Sequence, residues 1–267
     1  MYGNSVKFKL LEKFEGIENL YNCSLDDLVY FNLNDKLISK ILDINLRLEA
    51  KKDLEYINKN NIEIIWYDSE FYPEKLKFIK DKPVSFYLRG NKEILNNKSV
   101  GIVGSRKSYK SSLEYAKKIA REFSKREINV VSGLARGIDK FAHLGCLEEK
   151  GKTIAVLGNG IDNESIYPYE NKRVYERILE NGGAIISEYP LKTKPLPYNF
   201  PYRNRIISGL SDIIVVVQAS TKSGSLITVD YALDQGKDVY VYKNENIDKE
   251  EFGGNKLLLE QGAKVIL

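Results

Sequence analysis

SVGIVGSRKSYKSS (residues 99–112) opens with an apolar, β-branched run, turns through glycine, serine and arginine, and continues into a helical segment. A strand that meets a helix through such a turn is how phosphate-binding loops are built. The spacing of Gly101 and Gly104 does not match G-x-G-x-x-G, and G-x-x-x-x-G-K-[ST] occurs nowhere in the chain. The stretch therefore predicts an α/β fold with an anion site, but it does not identify whose phosphate is bound.

Five further apolar runs follow the first, and segments with helical spacing separate them. The predicted strands are 99–104, 128–133, 153–158, 183–189, 212–219 and 237–243, and the predicted helices are 109–126, 137–150, 169–181, 203–210, 225–235 and 254–261. Nearly continuous β-branched runs are typical of parallel strands that are buried on both faces. The alternation predicts a doubly wound, mostly parallel sheet, with ligands bound beyond the carboxyl ends of its strands.

The region before this core has a different character. Residues 1–65 predict a small domain of short helices, and the segment SLDDLVYF (24–31) begins with a serine N-cap followed by two acids, as helix starts do. Residues 66–96 predict a proline-marked connection with short extended strands, and residues 97–267 the α/β core. The chain is therefore expected to have two folded parts joined by a connection.

Composition limits the classes of protein that the chain can belong to. The apolar runs, such as IIVVV (213–217), fall far short of the roughly 20 residues that a membrane span needs, and the N-terminal residues lack the apolar stretch of a signal peptide. Two distant cysteines, Cys23 and Cys146, predict no disulfide framework, and with a single histidine they leave no cluster for zinc or haem. We expect a cytoplasmic protein with no membrane partner, no metal and no cofactor.

Positive charge concentrates around the quoted loop and the helix after it. The whole chain carries a net charge of +4, whereas residues 97–140 alone hold 11 Lys and Arg against 4 Asp and Glu, a net of +7. A local basic field suits a polyanion better than a single small nucleotide. The alternative is a lysine-rich helix face that is merely solvated, and charge alone leaves both open.

The ends of the first two predicted strands supply candidate phosphate ligands. Gly104 lets a ligand approach the backbone, Ser105 offers a hydroxyl, and Arg106 offers a guanidinium that can bind phosphate through two hydrogen bonds. The second strand ends in SGLARGIDKFAH (132–143), where Arg136 adds another cation. The alternative interpretation is a pair of tight structural turns with incidental arginines.

Asp139 and His143 lie four residues apart on one face of the helix that follows the second strand. They could form an acid–base pair, or they could be a helix-start acid and a packed histidine. No candidate nucleophile or metal partner accompanies them, so the packing interpretation is favoured and no catalytic residue is predicted.

The segment after the fourth strand, SEYPLKTKPLPYNFPYRNRIISGLS (187–211), mixes cations with aromatic rings and four prolines. Single-stranded nucleic acid binds such surfaces, because cations follow its phosphates and rings stack on its unpaired bases. The alternative is a loop whose rings cover the sheet edge. After the fifth strand, Ser223, Gly224 and Ser225 begin a helix whose free N–H groups could bind an anion, although serine caps are also common for structural reasons.

Seven motifs in register then resemble a known family. They are GIVGSR, SGLARGIDKFAH, AVLGNGID…YP…N, GGAIISEYP, FPYRNRIISGLS, SGSLITVDYAL and GGNKLLLEQGA. Together they closely resemble the DNA-processing protein A family, also called DprA or Smf, over about residues 70–267. The resemblance implies an extended Rossmann-like domain after a small helical domain of the SAM or helix-hairpin-helix type. It also implies a homodimer that binds single-stranded DNA, loads RecA recombinase during natural transformation, and has no catalytic turnover.

The strand ends and the resemblance together give one set of candidate nucleic-acid contacts. The set is Gly104, Ser105, Arg106, Arg136, Lys194, Phe200, Arg203, Asn204, Arg205, Ser223, Gly224 and Ser225. The resemblance implies that Phe200 stacks on a base while the cations hold phosphates.

Some features depart from the family pattern. VVQA replaces the common VVEA, and VYVYKN replaces VFAVPG. Because the sequence ends at AKVIL, we expect no winged-helix domain of the kind that many relatives append. The rival function is a nucleotide-processing enzyme on the same fold, such as a phosphoribohydrolase. Those enzymes carry P-G-G-x-G-T-x-x-E, whereas this chain reads SGSLITVD without the doubled glycine or the glutamate.

Overall fold

A computed structural model describes residues 3–267 of the chain. The chain divides at Glu63 into two compact units. Residues 66–96, predicted to be a connection, fall within the second unit and contribute a helix and a strand to it. No helix within residues 3–267 has both the length and the apolar character that a bilayer span requires.

The first unit consists of short helices, as predicted. They are α1 (Asn4–Lys13), α2 (Ile17–Asn22), α3 (Leu25–Tyr30), α4 (Asp35–Ile41) and α5 (Ile44–Lys59). Ser24 and Asp27 form a capping box at the start of α3, so the predicted serine cap is confirmed. The apolar core of this unit is small and includes the buried Leu10, Phe14 and Leu28.

The second unit is built on a nine-stranded sheet. The strands are β1 (Ile62–Trp66), β2 (Ser85–Gly90), β3 (Ser99–Val103), β4 (Asn129–Ser132), β5 (Thr153–Leu157), β6 (Ala184–Ser187), β7 (Ile213–Val216), β8 (Asp238–Tyr242) and β9 (Lys264–Ile266). Their order is β1-β2-β6-β5-β4-β3-β7-β8-β9. All six predicted core strands form, and every residue of β3, β4, β5 and β6 is buried.

The pairing of the strands makes the sheet Rossmann-like. Across the sheet, the seven neighbouring strands β6-β5-β4-β3-β7-β8-β9 are parallel to one another. Strand β2 pairs with β6 in the antiparallel sense. The chain winds from β3 through β4 to β5 and β6 in one direction, then returns beside β3 with β7. The carboxyl ends of β3 and β7 therefore mark the topological switch point, where ligands bind in open α/β sheets.

Helices cover both faces of the sheet. They are α6 (Glu74–Lys77), α7 (Lys110–Ser124), α8 (Ile138–Glu148), α9 (Lys172–Glu180), α10 (Asn199–Leu210), α11 (Ser225–Asp234) and α12 (Gly253–Glu260). Side chains of α7 and α8, among them Ile119 and Ala142, pack against β3 residues such as Ile102 in one cluster. Side chains of α10 and α11, such as Ile206 and Val229, belong to a second apolar cluster.

Two parts of this unit differ from the sequence prediction. Helix α10 begins at Asn199, whereas the prediction placed residues up to 202 in a loop because of their prolines. Pro201 lies in the first turn of α10, where the missing N–H would have no partner within the helix in any case, so proline is tolerated there. Strand β9 was not predicted, because its three residues, KVI, are too few to show a strand pattern.

Candidate nucleic-acid interface

A cleft of about 490 Å³ lies at the switch point, and we call it the switch-point cleft. Nine of the twelve candidate residues line it, namely Gly104, Ser105, Arg106, Phe200, Arg203, Asn204, Ser223, Gly224 and Ser225. These residues come from the turn after β3, the first half of α10 and the start of α11. The structure therefore gathers most of the set at one place, and their contact with a ligand remains a prediction.

The turn after β3 is fixed by the neighbouring strand end. Ser105 N donates to Gln218 O at 2.7 Å, and Tyr109 N donates to the Gln218 side-chain oxygen at 3.0 Å. A Cβ on Gly104 would lie 2.6 Å from Ile138 and 2.9 Å from Gln218 O, so the close packing needs glycine. Gln218, the residue that departs from the family pattern, thus holds the turn in place through both of its oxygens.

A second turn, between β4 and α8, packs directly against the first. Gly137 has a φ of +71°, and a Cβ there would lie 2.3 Å from Ser105 O. Ile138 N donates to the same carbonyl at 3.3 Å. The two turns therefore form one rigid wall of the switch-point cleft.

Arg106 and Phe200 form the rim of the cleft. The Arg106 guanidinium lies 5.2 Å from the centroid of the Phe200 ring, within the range of a cation–π contact. Arg106 is exposed, and no carboxylate of residues 3–267 forms an ion pair with it. An exposed guanidinium beside a half-buried ring can bind a phosphate while the ring stacks on a base.

The start of α11 closes the opposite side of the cleft. Asn204 Nδ2 donates to Gly224 O at 3.2 Å and so ties α10 to this helix start. The Ser223 and Ser225 hydroxyls lie 2.7 Å apart, and a Cβ on Gly224 would meet nothing within 4 Å. The helix start is therefore open toward solvent, as an anion site at a helix N-terminus requires.

Arg203 lies at the floor of the cleft and is buried, with 3% of its surface exposed. Its Nη1 donates to Gly133 O at 3.0 Å and also to Val156 O, and its Nε donates to the Asn204 side chain at 3.2 Å. Burial lowers the pKa of Arg203 to about 10, and Asp139 opposes that shift. Arg203 therefore joins the ends of β4 and β5, and most of its donors are already used.

Asp139, in the first turn of α8, also contacts the backbone at the floor of the cleft. Its carboxylate accepts from Gly133 N at 3.1 Å and from Ala135 N at 3.4 Å. Burial raises its pKa, while the charge of Arg203 and these backbone bonds lower it. A Cβ on Gly133 would lie 2.5 Å from the Arg203 guanidinium and 2.7 Å from the carboxylate, so this glycine lets the charged pair approach the backbone.

His143 is packed in the interior. Its Nδ1 lies 2.7 Å from the Thr153 hydroxyl, which itself donates to Val130 O at 2.7 Å. The hydroxyl proton is thus used, so Nδ1–H donates to Thr153. Burial, followed by the charge of Arg203, lowers the pKa of His143 to about 3 and keeps the ring neutral. Asp139 is thus a buried acid in the first turn of α8, and His143 is a packed histidine.

Arg205 does not reach the cleft, and here the sequence prediction needs correction. Its guanidinium is 2% exposed and forms a buried ion pair with Glu188 at 2.6 Å. It also donates to Asp81 O at 2.8 Å and to Tyr202 O at 3.1 Å. Arg205 lies two residues after Arg203 on α10, which turns its side chain toward a different neighbour. In this structure its position is that of an interior ion pair and not of a phosphate contact.

Arg136 and Lys194 lie beside the switch-point cleft. Arg136 lines a small recess together with Arg106, Phe200 and Tyr167, and it pairs with Glu170. Lys194 is exposed and lines a separate cleft of about 350 Å³.

Sequence reasoning missed Lys107 and Tyr167. Lys107 lines the switch-point cleft and follows Arg106 directly, so its position was a usable signal. Tyr167 lines the small recess and carried only the weak signal of a tyrosine beside proline. Within the described chain, no group of three or more His, Cys, Asp and Glu side chains could hold a metal ion.

The strand order and the glycine-lined switch point define a Rossmann-like α/β protein with a cleft at the carboxyl edge of the sheet. A family model described as DNA recombination-mediator protein A matches residues 63–267. The chain belongs to this family, also called DprA or Smf, as the sequence motifs predicted.

Curated relatives agree with this membership. The chain is 39% identical over 220 residues to protein Smf of Escherichia coli K12, which covers 82% of this chain and 58% of that protein. It is 38% identical over 266 residues to protein Smf of Synechocystis, covering 97% and 65% respectively. The chain thus spans about three fifths of the length of these relatives.

Two solved structures share the fold. DNA processing protein A from Streptococcus pneumoniae matches with a TM-score of 0.76 at 32% identity, covering 98% of this chain and 89% of that one. DNA processing protein A from Helicobacter pylori, whose structure is described for its unique single-stranded DNA binding mode, matches with a TM-score of 0.69 at 30% identity. That match covers 77% of this chain and 91% of the other.

Proposed function

We propose that this protein binds single-stranded DNA in the switch-point cleft, without strong sequence preference. The observation that carries the proposal is the pairing of Arg106 with Phe200 at the rim, beside the open start of α11. A ring stacks on any base and a guanidinium binds any phosphate, so neither contact selects a sequence. The single-stranded DNA binding named for the H. pylori relative supports the same assignment.

An unpaired strand fits the cleft better than a duplex or a mononucleotide. Base pairing hides the base faces that Phe200 would contact, so a duplex loses the stacking contribution. A mononucleotide has a single phosphate group, whereas Arg106, Lys107 and the α11 start provide several anion-binding positions along one cleft. Several phosphates joined in one flexible chain match that arrangement.

The bound strand is then passed to RecA recombinase, and the protein acts as a homodimer during natural transformation. The family description, a recombination mediator, supports the transfer to a recombinase; the homodimer and the role in transformation are what the family resemblance implies. The protein works as a binding mediator without catalytic turnover. Two acids line the switch-point cleft, Asp139 and Glu251. The buried one, Asp139, favours that view, because backbone N–H groups already occupy its carboxylate.

A competition experiment tests the binding proposal. Labelled oligothymidylate is bound to the protein and displaced by unlabelled single strand, by duplex of the same length, or by AMP, with fluorescence anisotropy as the readout. We expect single strand to compete best and affinity to fall with salt, with a slope of about 0.7 per phosphate neutralised. A preference for duplex, or no binding at low ionic strength, contradicts the proposal.

Two further measurements address transfer to the recombinase and turnover. RecA filament growth on single strands coated with single-strand binding protein should accelerate when this protein is added. Incubation with AMP followed by chromatography should release no free base. Released base would support the phosphoribohydrolase alternative instead.

A further inference from the structure

We infer that the bound strand continues past Phe200, where Tyr167 and Arg136 form a second nucleotide site on the way to Lys194. This inference rests on the proposed function and extends it along the sheet edge, from the ends of β3 and β7 toward the loop after β5. It concerns the length of DNA that one protomer contacts.

Shared lining residues make the path continuous. Phe200 and Arg106 line both the switch-point cleft and the small recess beside it. Tyr167 lines both that recess and the cleft of about 350 Å³ that holds Lys192 and Lys194. A strand leaving the Phe200 side of the switch-point cleft therefore meets Tyr167 next and the two lysines after it.

The two rings along this path contact each other. The centroids of Tyr167 and Phe200 lie 5.7 Å apart, and their planes are inclined by 45°. Aromatic rings at that separation pack directly on one another, so no base fits between them. Each ring can therefore contact a different base of the strand.

A cation accompanies each ring. Arg106 lies 5.2 Å from the Phe200 centroid, and Arg136 lies 5.9 Å from the Tyr167 centroid. The unit proposed to bind one nucleotide, a ring with a guanidinium beside it, thus occurs twice in succession. Repetition of a stacking platform and a phosphate ligand is how sequence-tolerant single-strand sites are extended.

Glu170 holds Arg136 in place by an ion pair, with Nη2 and Oε2 separated by 2.9 Å. Both side chains are about half exposed, at 48% and 52%. Exposed ion pairs contribute little to stability, so a phosphate can replace the carboxylate at small cost. Glu170 therefore orients Arg136 and also competes with the strand for it.

The cleft at the Lys194 end of the proposed path contains both positive and negative side chains. Lys192 and Lys194 share their cleft with Asp162 and Glu164. The carboxylate of Asp162 accepts from Lys192 N at 2.7 Å and from Ser165 N at 3.0 Å, so part of its charge is already compensated. The exposed Lys194 is the residue that the path leads to.

The first test compares oligothymidylates of increasing length, from about 4 to about 16 nucleotides, the range of site sizes known for single-strand modules. With Tyr167→Ala, we expect the loss of affinity to grow with length and to reach about tenfold on the longest oligomer, one stacked base at ~1–3 kcal/mol. Tyr167→Phe should recover most of this loss. Tyr169→Ala removes a tyrosine that is 71% exposed and lines none of these clefts, and it serves as the matched control.

The outcomes separate the inference from the proposed function. A loss that is equal at all lengths means that Tyr167 only supports Phe200, and it overturns the second site. No loss with Tyr167→Ala, alongside weaker binding by Phe200→Ala, also overturns the second site but leaves the proposed function intact. If Phe200→Ala and Arg106→Ala bind as the unmodified protein does, the proposed function itself fails.

The second test removes the ion pair between Glu170 and Arg136. Glu170→Gln should tighten binding of the longest oligomer several-fold and steepen its salt dependence by about 0.7 in log–log slope, one additional phosphate. Glu180→Gln removes a carboxylate at the end of α9, where it pairs with Arg173, and controls for net charge. An equal effect of the two variants, or no effect of Glu170→Gln, contradicts the competition between Glu170 and the strand.

Discussion

The floor and the rim of the switch-point region use the same residue type in opposite ways. At the floor and just behind it, Arg203 and Arg205 are 3% and 2% exposed, and backbone carbonyls and carboxylates take up their donors. At the rim, Arg106 and Arg136 are exposed, and each lies beside an aromatic ring. The first pair holds strand ends and helices together. In the second pair, Arg106 is exposed without an ion pair to any described residue, and Arg136 has only an exposed ion pair with Glu170.

A cation that is interleaved with aromatic residues in the sequence is therefore not by itself a binding residue. A buried guanidinium is tolerated only when carboxylates and carbonyls compensate its lost hydration. Once those partners are engaged, few donors are left for a phosphate. Substitutions at the floor should therefore change stability, and substitutions at the rim should change DNA affinity.

The largest expected effect comes from Arg205→Met. Removing this guanidinium breaks its ion pair with the Glu188 carboxylate, which is 6% exposed. Breaking a buried ion pair on one side typically costs about 3–5 kcal/mol of unfolding free energy. Urea denaturation followed by circular dichroism measures it, and Arg173→Met, at a side chain that is 70% exposed, is the matched control.

The double variant Arg205→Met with Glu188→Leu tests whether the broken ion pair causes this loss of stability. Replacing both partners by apolar side chains should restore much of the lost stability, because no buried charge is left unpaired. If the double variant is as unstable as the single one, the ion pair is not the cause of the loss.

Phe200→Ala should weaken single-strand binding by about 1–3 kcal/mol, the contribution of one stacked base. Fluorescence anisotropy with oligothymidylate measures the affinity. Phe78→Ala is the control, because that ring is 85% exposed and lies outside the cleft. Equal affinity in the two variants would remove Phe200 from the rim's binding residues.

The buried His143 should make the unfolding free energy depend on pH. Its pKa lies at about 3 in the folded protein against an ordinary value of 6.5, so between these values the unfolded chain binds a proton that the folded chain does not. The unfolding free energy should therefore fall as pH is lowered below 6.5, by up to about 1.4 kcal/mol per pH unit. Because this is the only histidine in the chain, His143→Gln should flatten the dependence between pH 6.5 and 5 in urea titrations. An unchanged slope means that other groups dominate.

The smallest effect expected is that of Arg106→Ala. Losing one phosphate contact should weaken binding to all sequences alike and reduce the salt slope by about 0.7. The melting temperature should stay close to that of the unmodified protein, because Arg106 is exposed. A clear drop in melting temperature would mean that Arg106 stabilises the fold, as Arg203 and Arg205 do.

Most of the fold follows from the sequence because it depends on pattern. Runs such as residues 99–104 and 153–158 are long, β-branched and flanked by glycine, and they became the buried strands β3 and β5. The rule that ligands bind at the carboxyl ends of parallel strands then placed nine candidate residues at one cleft. Prediction worked where one strong local signal decided the outcome.

Prediction failed where the outcome depended on contacts between distant segments. Arg205 is buried because Glu188 and Asp81 come from other parts of the chain, and no local pattern marks that pairing. The early start of α10 was hidden by Pro201, since proline usually indicates a loop but is also compatible with a first helical turn. Tyr167 reaches the site only because the loop after β5 brings it against Phe200.

The position of Phe200 in the first turn of α10 has a thermodynamic consequence. Its backbone is fixed by the helix, and its ring already rests on Tyr167, so little rotational freedom remains to be lost when a base arrives. Immobilising a free side chain at an interface otherwise opposes association by about 0.5–1.5 kcal/mol. A ring that is ordered in advance avoids most of this entropic penalty, and nearly the full stacking energy is then available to slow dissociation.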